Sequence, residues 1–385
     1  MNCKRILIIL PNLDLGGAET VVMNYFRAFS PDAESEKIIF DFVVHGEKGF
    51  YEDEAVSLGA RIFRAPTRAQ SFFGNIRTMI KIYKKKSIAS DEACFNAPFV
   101  PWGERNLPKE KYDTVVVCTE HAFAFIELAV AWFCGVKTRA AWSHFSDYQG
   151  ASRLKRHANF FAQPFLRLFA NLFLACTKDA AKWLFGRNFK KFHIVNNAMD
   201  LEKFRFCAEA RRKIRFKHKL TDALVVGIVG RLTAVKNHAF ALEVFSRLRD
   251  ESTILLIVGD GELREEIESE AARMNLSRRV IFSGKIENVS DYYSAIDMLI
   301  MPSIHEGLPL VAIEAQAADL PVIMSTGIPL EAKISERAEF LPLSHGADSW
   351  AKKISEIEIR ERTEIDLRDS GFDIESEAEK LRKIF

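Results

Sequence analysis

The sequence predicts an α/β protein with two domains, each built on a doubly wound parallel sheet. Short apolar runs alternate with amphipathic helical segments along almost the whole chain. Most of the runs are continuously apolar, as expected of parallel strands that are covered on both faces. At 385 residues the chain is also longer than one hydrophobic core usually serves.

The apolar runs form two series of predicted strands. The first series comprises residues 5–10, 38–44, 61–64, 114–118, 139–142, 172–176 and 193–195. The second comprises residues 224–229, 254–258, 280–282, 298–301, 322–324 and 339–341. Between the first two runs, apolar residues at 18, 21, 22, 25, 26 and 29 form one helical stripe. This alternation of strand and helix is typical of doubly wound sheets.

A basic segment without strand character, residues 200–224, separates the two series. We therefore predict an N-terminal doubly wound domain at 1–205 and a C-terminal doubly wound domain at 206–372. Residues 373–385 are predicted as a terminal helix, because Ala378, Leu381 and Ile384 fall on one stripe.

Composition indicates an ordinary globular protein, with 48% hydrophobic and 28% charged residues and a net charge of +2. The six cysteines occur singly, and those at 118, 134, 176 and 207 lie in or beside apolar runs, which predicts buried free thiols in a reducing compartment. The apolar run before Pro11 is too short for a signal peptide, and no run approaches the roughly 18 apolar residues of a spanning helix. We expect a cytoplasmic protein.

The segment SIHEGLPLVAIEAQAADLPVIMS, residues 303–325, holds two carboxylates in apolar surroundings. Glu306 and Glu314 are separated by seven residues, all apolar apart from one Gly and one Pro. Pro309 can begin a helix that runs over 310–318 and is apolar nearly all round, which places Glu314 on its second turn. A buried carboxylate needs hydrogen-bond donors, and ligand hydroxyls such as those of a ribose supply them without adding charge.

Glu306 lies in the loop just before this helix, close to the amides of Gly307, Leu308 and Leu310. These amides could face the oxygens of a phosphate. The simpler alternatives are a helix N-terminal charge for Glu306 and a buried ion pair for Glu314.

Two strand-to-helix loops could also approach a ligand. Gly16 and Gly17 follow the first strand, although they do not form the dinucleotide fingerprint G-x-G-x-x-G. Arg231 and Lys236, in the loop GRLTAVKN, follow the first strand of the second series without the spacing of a P-loop. At the carboxyl end of a strand these cations suit a diphosphate, and the alternative is a solvated basic loop.

His144 follows a strand of the first domain and by position alone is as consistent with a core histidine as with a ligand contact. The chain contains no D-x-D and no His or Cys cluster at metal spacing, so a carboxylate-held divalent ion is not expected. Positive side chains and backbone amides would have to stabilise a leaving phosphate instead.

Taken together, EGLPLVAIE, GRLTAVKN, VGDGEL, NNAMDLEKF and the N-terminal GGAE resemble the retaining GT-B glycosyltransferases of family 4, glycosyl transferases group 1, of the bacterial capsular and exopolysaccharide type. The motifs appear in the family's order and cover nearly the whole chain. One departure is Asn196–Asn197 where the family usually has Asn-Gly; because Asn tolerates the left-handed conformation, we expect the turn to survive.

The resemblance implies two Rossmann-like domains that face each other across a cleft, with the terminal helix packed back on the first, acceptor-side domain. Arg231 and Lys236 would hold and neutralise the leaving diphosphate of a nucleotide-sugar. Glu314 would bind the ribose hydroxyls and Glu306 the transferred sugar, and no metal or other cofactor would be required.

In the first domain, the resemblance implies that Gly16 and Gly17 approach the phosphates and that His144 is the active-site histidine beside the donor sugar. Transfer would retain the anomeric configuration, by front-face attack through an oxocarbenium-like state.

Acceptors in this family are often lipid-linked saccharides. Residues 68–86 and 152–173 mix Phe, Leu and Ile with Arg and Lys on predicted helices of the first domain. Such helices could lie on an anionic membrane, or simply pack on the sheet with a solvated basic face. No nucleic-acid recognition module is evident.

The sequence therefore predicts a glycosyltransferase that moves a hexose from a nucleotide-sugar, with UDP as the expected nucleotide, to a cell-surface polysaccharide on a lipid carrier. A location at the inner face of the plasma membrane would follow. One alternative is a nucleotide-sugar epimerase of the same architecture, which needs no acceptor. The other is a non-catalytic sugar-binding or lipid-binding protein, which would have no need to neutralise a leaving diphosphate.

Overall fold

Each predicted series of apolar runs forms one parallel sheet in the computed structural model, which describes residues 3–29, 37–84, 112–144, 152–220, 223–286, 288–363 and 365–385. All the predicted strands are confirmed, with boundaries within two residues of those observed. The chain divides into two compact units, one comprising Met1–Met199 with Ile374–Phe385 and the other Asp200–Asp373.

The first unit holds a sheet of seven strands in the order β3-β2-β1-β4-β5-β6-β7. Its strands are β1 Cys3–Ile9, β2 Lys37–Val44, β3 Ile62–Arg64, β4 Thr114–Thr119, β5 Thr138–Ser143, β6 Leu172–Ala175 and β7 His193–Ile194. Its helices are α1 Gly17–Phe29, α2 Glu52–Ser57, α3 Phe72–Lys84, α4 Phe125–Phe133, α5 Arg153–Phe169, α6 Lys178–Phe185 and, from the end of the chain, α13 Ile374–Ile384.

The second unit holds a sheet of six strands in the order β10-β9-β8-β11-β12-β13. Its strands are β8 Val225–Val229, β9 Ile254–Val258, β10 Val280–Gly284, β11 Met298–Met301, β12 Val322–Met324 and β13 Ala338–Phe340. Its helices are α7 Ala208–Lys217, α8 His238–Arg247, α9 Arg264–Arg273, α10 Val289–Ala295, α11 Leu310–Ala317 and α12 Gly346–Glu356.

The central strands are buried because helices cover the sheets. Every residue of β8 and β11 is buried, as their continuously apolar sequences predict. No helix of the described residues is long and apolar enough to cross a membrane.

An aromatic cluster joins α1 to the first sheet and to α13. Phe26 stacks on Phe40 with ring centroids 5.4 Å apart, and Tyr25 meets Trp142 edge-on at 5.8 Å. The C-terminal Phe385 ring, at 6.5 Å, also contacts Phe40. Because a buried aromatic ring stabilises a fold by about 1.5–3 kcal/mol, this cluster ties the end of the chain firmly to the first unit.

Two local expectations from the sequence are wrong. Asn196 and Asn197 are not in the left-handed conformation, although the described Asn237 and Asn275 are. The loop is held from outside instead, since the Tyr25 hydroxyl donates to the Asn196 carbonyl at 2.8 Å. Cys207 is exposed rather than buried, and its sulfur caps α7 by accepting from the Ala210 amide at 3.5 Å.

The segment VGDGEL packs its backbone against the loop that follows β8. The Gly230 amide donates to the Val258 carbonyl at 2.9 Å, and the Leu232 amide donates to the Asp260 carbonyl at 3.0 Å. A Cβ at Gly259 would lie 2.0 Å from the Gly230 oxygen, and Gly259 has a φ of +141°. The glycine is therefore required both for its backbone conformation and for this close approach.

We expect Gly259→Ala to lower the free energy of unfolding of the second unit by about 3 kcal/mol, because it combines a strained φ with a backbone clash. The matched control is Gly346→Ala, which has a φ of +75° but no atom within 4 Å of the added Cβ. Strain alone should cost about 1 kcal/mol there. Urea denaturation, monitored by hydrogen exchange of the β8 and β9 amides, measures the free energy of unfolding of both variants. Equal losses in the two variants would show that the close approach of Gly259 to Gly230 does not matter for stability.

Candidate functional site

The candidate residues of the second unit lie at the carboxyl ends of β8 and β11. These strands are neighbours in the sheet, and the strand order reverses direction between them. Open α/β sheets bind ligands in the crevice at such a switch point. The loop after β8 carries Arg231 and Lys236, and the loop after β11 carries Glu306.

Backbone and side-chain hydrogen bonds tie these two loops together. The Ile304 amide donates to the Val235 carbonyl at 2.8 Å. The Asn237 side chain donates to the Pro302 carbonyl at 3.2 Å, and Asn237 itself is left-handed, with φ 57° and ψ 47°. Lys236 and Glu306 are therefore positioned by one connected framework although they are far apart in sequence.

Lys236 and Glu306 form an ion pair in this framework. The Lys236 Nζ donates to Glu306 Oε1 at 2.6 Å, and the side chains are only 18% and 13% exposed. The buried Ser303 hydroxyl donates to the same oxygen at 2.8 Å. Both hydrogen bonds to the Glu306 side chain from the described residues thus go to Oε1. Arg231 lies exposed on the Lys236 loop.

Glu306, Gly307 and Leu308 precede α11, and Leu310 is its first residue. Pro309 is the N-cap, and the helix starts at Leu310, as predicted. The Pro309 carbonyl accepts from the Ala312 amide at 3.2 Å and so begins the helix. Because the first amides of a helix have no partner within it, this terminus favours an anion.

Glu314 lies on the second turn of α11, as predicted, and is half-buried. Its Oε2 accepts from the Tyr293 hydroxyl at 2.6 Å, so the partner in the structure is a phenol and not the cation of a buried ion pair. Burial raises the pKa of Glu314, opposed by the Tyr293 hydrogen bond and by the charges of Lys203 and Lys236. The described residues make no side-chain hydrogen bond to the other oxygen, Oε1.

Gly16, Gly17 and His144 lie at the carboxyl edge of the first sheet. Gly16 precedes α1 and Gly17 is its first residue, with open space around the position of an added Cβ at Gly17. His144 follows β5 and packs on Trp142, with ring centroids 4.5 Å apart.

Both ring nitrogens of His144 are buried without a hydrogen-bond partner among the described residues. Burial lowers the pKa of His144 to about 3. The imidazole is therefore neutral near pH 7 and can both donate and accept a hydrogen bond.

Four residues that support the site were not singled out from the sequence: Tyr293, Ser303, Asn237 and His238. His238 begins α8 two residues after Lys236 and is buried. Burial, with a smaller effect of the Lys236 charge, lowers the pKa of His238 to about 4, so the ring adds no charge beside the lysine. Asn237 carried a recognisable signal, because Asn directly before a helical pattern is typical of an N-terminus. The other three resemble ordinary core residues in the sequence.

The second-unit site combines two cations, two carboxylates with an available oxygen and a helix N-terminus. Such a set can neutralise a diphosphate and bind hydroxyl groups on either side of it. Ionised carboxylates accept only, so hydroxyl donors are the groups they would bind.

Comparison with known proteins agrees with this chemistry. The family model described as Glycosyl transferases group 1 matches residues 210–371, which include Arg231, Lys236, Glu306 and Glu314. The chain is 33% identical over 339 residues to EpsF of Bacillus subtilis (strain 168), a glycosyltransferase by name, and the match covers 84% of this chain and 80% of that one.

A second relative is the Escherichia coli UDP-Gal:alpha-D-GlcNAc-diphosphoundecaprenol alpha-1,3-galactosyltransferase. It is 33% identical over 144 residues, which is 35% of this chain and 36% of the relative. Among solved structures, HepE of Anabaena in complex with UDP and glucose has a TM-score of 0.75 at 14% identity and covers 99% of both chains. This likeness shows the fold, which is GT-B with two Rossmann-like domains, as predicted.

Proposed function

Because the chain belongs to the group 1 glycosyltransferases of family 4, of the exopolysaccharide type, we propose that it moves a hexose from a UDP-sugar to a lipid-linked saccharide with retention of the anomeric configuration. It is a nucleotide-sugar glycosyltransferase. The observation that carries the proposal is the Lys236–Glu306 pair at the carboxyl ends of β8 and β11.

We assign the leaving diphosphate to Lys236, Arg231 and the start of α11. Lys236 has three N–H donors, and its contact with Glu306 uses one of them. The others can bind phosphate oxygens while the carboxylate still holds the ammonium in place. Amides of Gly307, Leu308 and Leu310 would face the same phosphates.

Each carboxylate is assigned one part of the donor. Glu306 would use Oε2 to accept from a hydroxyl of the transferred sugar, since its Oε1 is already engaged by Lys236 and Ser303. Glu314 would use Oε1 to accept from the ribose hydroxyls, since Tyr293 engages Oε2. Both oxygens that remain are acceptors, as the hydroxyls of a nucleotide-sugar require.

In the first unit we assign Gly16 and Gly17 to the phosphates and His144 to the transferred sugar. A neutral imidazole whose two nitrogens have no hydrogen-bond partner among the described residues suits a sugar hydroxyl, which is itself both donor and acceptor.

The chemical step we propose breaks the bond between the anomeric carbon and the diphosphate oxygen. The anomeric carbon becomes oxocarbenium-like, and the acceptor hydroxyl attacks it on the same face from which the diphosphate leaves. The acceptor proton passes to the leaving phosphate. Lys236 and Arg231 stabilise the charge that develops on the diphosphate, so we expect no divalent metal to be required.

A lipid-linked saccharide is the acceptor we favour. One observation supports it: a relative that matches 35% of this chain has a name that specifies a diphosphoundecaprenol acceptor. Such an acceptor lies at a membrane, so the enzyme would associate peripherally with that surface.

A thermal-shift screen of UDP-, GDP- and dTDP-sugars tests the donor. We expect a UDP-sugar, at about 100 times its dissociation constant, to stabilise the protein by roughly 2.7 kcal/mol. Transfer from that donor to lipid-linked saccharides should then proceed in excess EDTA. Complete loss of transfer in EDTA would make the metal-independent mechanism wrong, and release of a new free sugar without acceptor would favour the epimerase.

We expect Lys236→Ala and Glu306→Ala each to reduce kcat at least about 100-fold, because each removes a group that acts on the developing charge or on the sugar. Circular dichroism should show an intact fold in both variants. The matched control is Glu268→Ala, which breaks an exposed ion pair with Arg264 at 2.8 Å on α9. Wild-type rates in either site variant, with a verified donor, would refute the site assignment.

Tyr293→Phe should lower the affinity for UDP about tenfold, because a hydrogen bond to a charged group contributes about 1.5 kcal/mol or more. The Tyr293 hydroxyl lowers the pKa of Glu314, so its removal raises that pKa further. As the pH falls, UDP affinity should therefore decline at a higher pH in the variant than in the wild type.

Isothermal titration with UDP across pH measures this effect. The control is Tyr292→Phe, since the Tyr292 hydroxyl contacts Lys217 and His218, each at 3.2 Å, and not Glu314. Equal pH dependence in the two variants would show that Tyr293 does not act through Glu314.

A further inference from the structure

Two neighbouring helices of the first unit, α4 and α5, turn large apolar side chains towards solvent. Each of these residues is at least half exposed: Trp132, Phe133, Phe160, Phe161, Phe165 and Leu168. We refer to these six residues as the aromatic ridge. Single exposed apolar residues are ordinary, whereas a contiguous set marks an interaction surface.

Ring contacts connect three residues of the aromatic ridge, Trp132, Phe133 and Phe165, across the two helices. Phe165 lies 5.4 Å from Phe125, which lies 6.5 Å from Phe169. Phe169 in turn lies 5.8 Å from Trp132, and Trp132 contacts Phe133 at 4.8 Å. Half-buried rings thus link the exposed ends of α4 and α5 into one patch.

The exposed face of α5 is not needed to attach the helix to its sheet. The opposite face already buries Ala162 and Leu166. It also buries Asn159 and Gln163, whose amides donate to the Trp183 carbonyl at 2.8 and 2.9 Å. On the outer face Phe161, Phe165 and Leu168 follow the i, i+4, i+7 spacing of a second apolar stripe.

Positive charge borders the aromatic ridge. The sequence of α5 contains no acid, and its Lys155, Arg156 and Arg167 are exposed. The one acid of α4, Glu127, is buried and pairs with Arg68 at 3.3 Å. The adjoining α3 also has no acid and exposes Phe73, Arg77 and Lys84.

We propose that the aromatic ridge docks on an anionic lipid bilayer. This proposal rests on the proposed transfer to a lipid-linked acceptor and names the surface on which that transfer would take place. Aromatic and leucine side chains would enter the interface while Lys155, Arg156 and Arg167 meet lipid headgroups. A two-fold contact with a second copy would instead bring two basic surfaces together. The charge therefore favours the bilayer over self-association.

Co-sedimentation of the full chain with vesicles tests the proposal. We expect binding to vesicles of phosphatidylglycerol and phosphatidylcholine, weaker binding in high salt, and little binding to phosphatidylcholine alone. The double substitution Phe161→Glu with Phe165→Glu should reduce binding more than tenfold. Arg156→Glu should reduce it about fivefold or more, the effect of about one basic residue near an anionic surface.

The matched control is Phe216→Glu on α7, another basic helix, where a Phe is 88% exposed outside the aromatic ridge. It should bind vesicles as the wild type does. Equal binding by the ridge variant and the wild type, or no binding by the wild type, would overturn the proposal. Dimerisation that the ridge variant abolishes, measured by light scattering in the absence of vesicles, would assign the surface to a second copy.

The donor assay separates this proposal from the proposed function. Stabilisation by a UDP-sugar should be unchanged in the ridge variant, because its substitutions lie outside the donor site. Vesicle binding without any response to nucleotide-sugars would refute the function and leave the docking surface standing. A normal response to the donor without vesicle binding would refute the docking surface and leave the proposed function standing.

Discussion

The site depends on one constraint, that a carboxylate among apolar neighbours must be given hydrogen-bond donors. The protein meets this need only in part. Among the described residues, Glu306 accepts from Lys236 and Ser303 on one oxygen, and Glu314 accepts from Tyr293 on one oxygen. One oxygen of each carboxylate is thus held by the fold, and the other is left as an acceptor. The protein-side bonds fix the orientation of each group before a ligand arrives, which is the arrangement that rapid and selective binding of hydroxyls requires.

The fold could be predicted from the sequence almost in full because its signals are local and repeated. A run such as VVGIV is typical of a strand covered on both faces, and the regular alternation of such runs with helical segments leaves few architectures. Where a local rule failed, a distant group had taken over. Asn196 needs no left-handed turn because Tyr25, on another element, holds its carbonyl. Cys207 lies beside apolar residues, yet it caps a helix at the surface.

The members of the site could be predicted, but not how they pair. The sequence predicts Glu306 in the loop before a helix and Glu314 within that helix. It also predicts Lys236 in the loop that follows a strand, where ligands bind in such sheets. The pairing of Lys236 with Glu306 joins residues 70 positions apart, and that of Tyr293 with Glu314 joins residues 21 apart. A Tyr on a short helix looks like a core residue in the sequence. The same holds for the aromatic ridge. The sequence shows that α5 mixes Phe with Arg, but it does not show that these Phe side chains face solvent.

Charge balance explains why the buried histidine and the lysine can be neighbours. An incoming diphosphate brings negative charge to a site where Lys236 is already partly neutralised by Glu306. A protonated His238 would repel Lys236, but burial lowers the pKa of His238 to about 4 and keeps the imidazole neutral near pH 7. Burial raises the pKa of Glu314, but the Tyr293 hydrogen bond and the charges of Lys203 and Lys236 oppose that rise and favour the carboxylate that the ribose hydroxyls would need. Burial thus prevents a second positive charge beside Lys236 and leaves Glu306 as the charged partner of that ammonium.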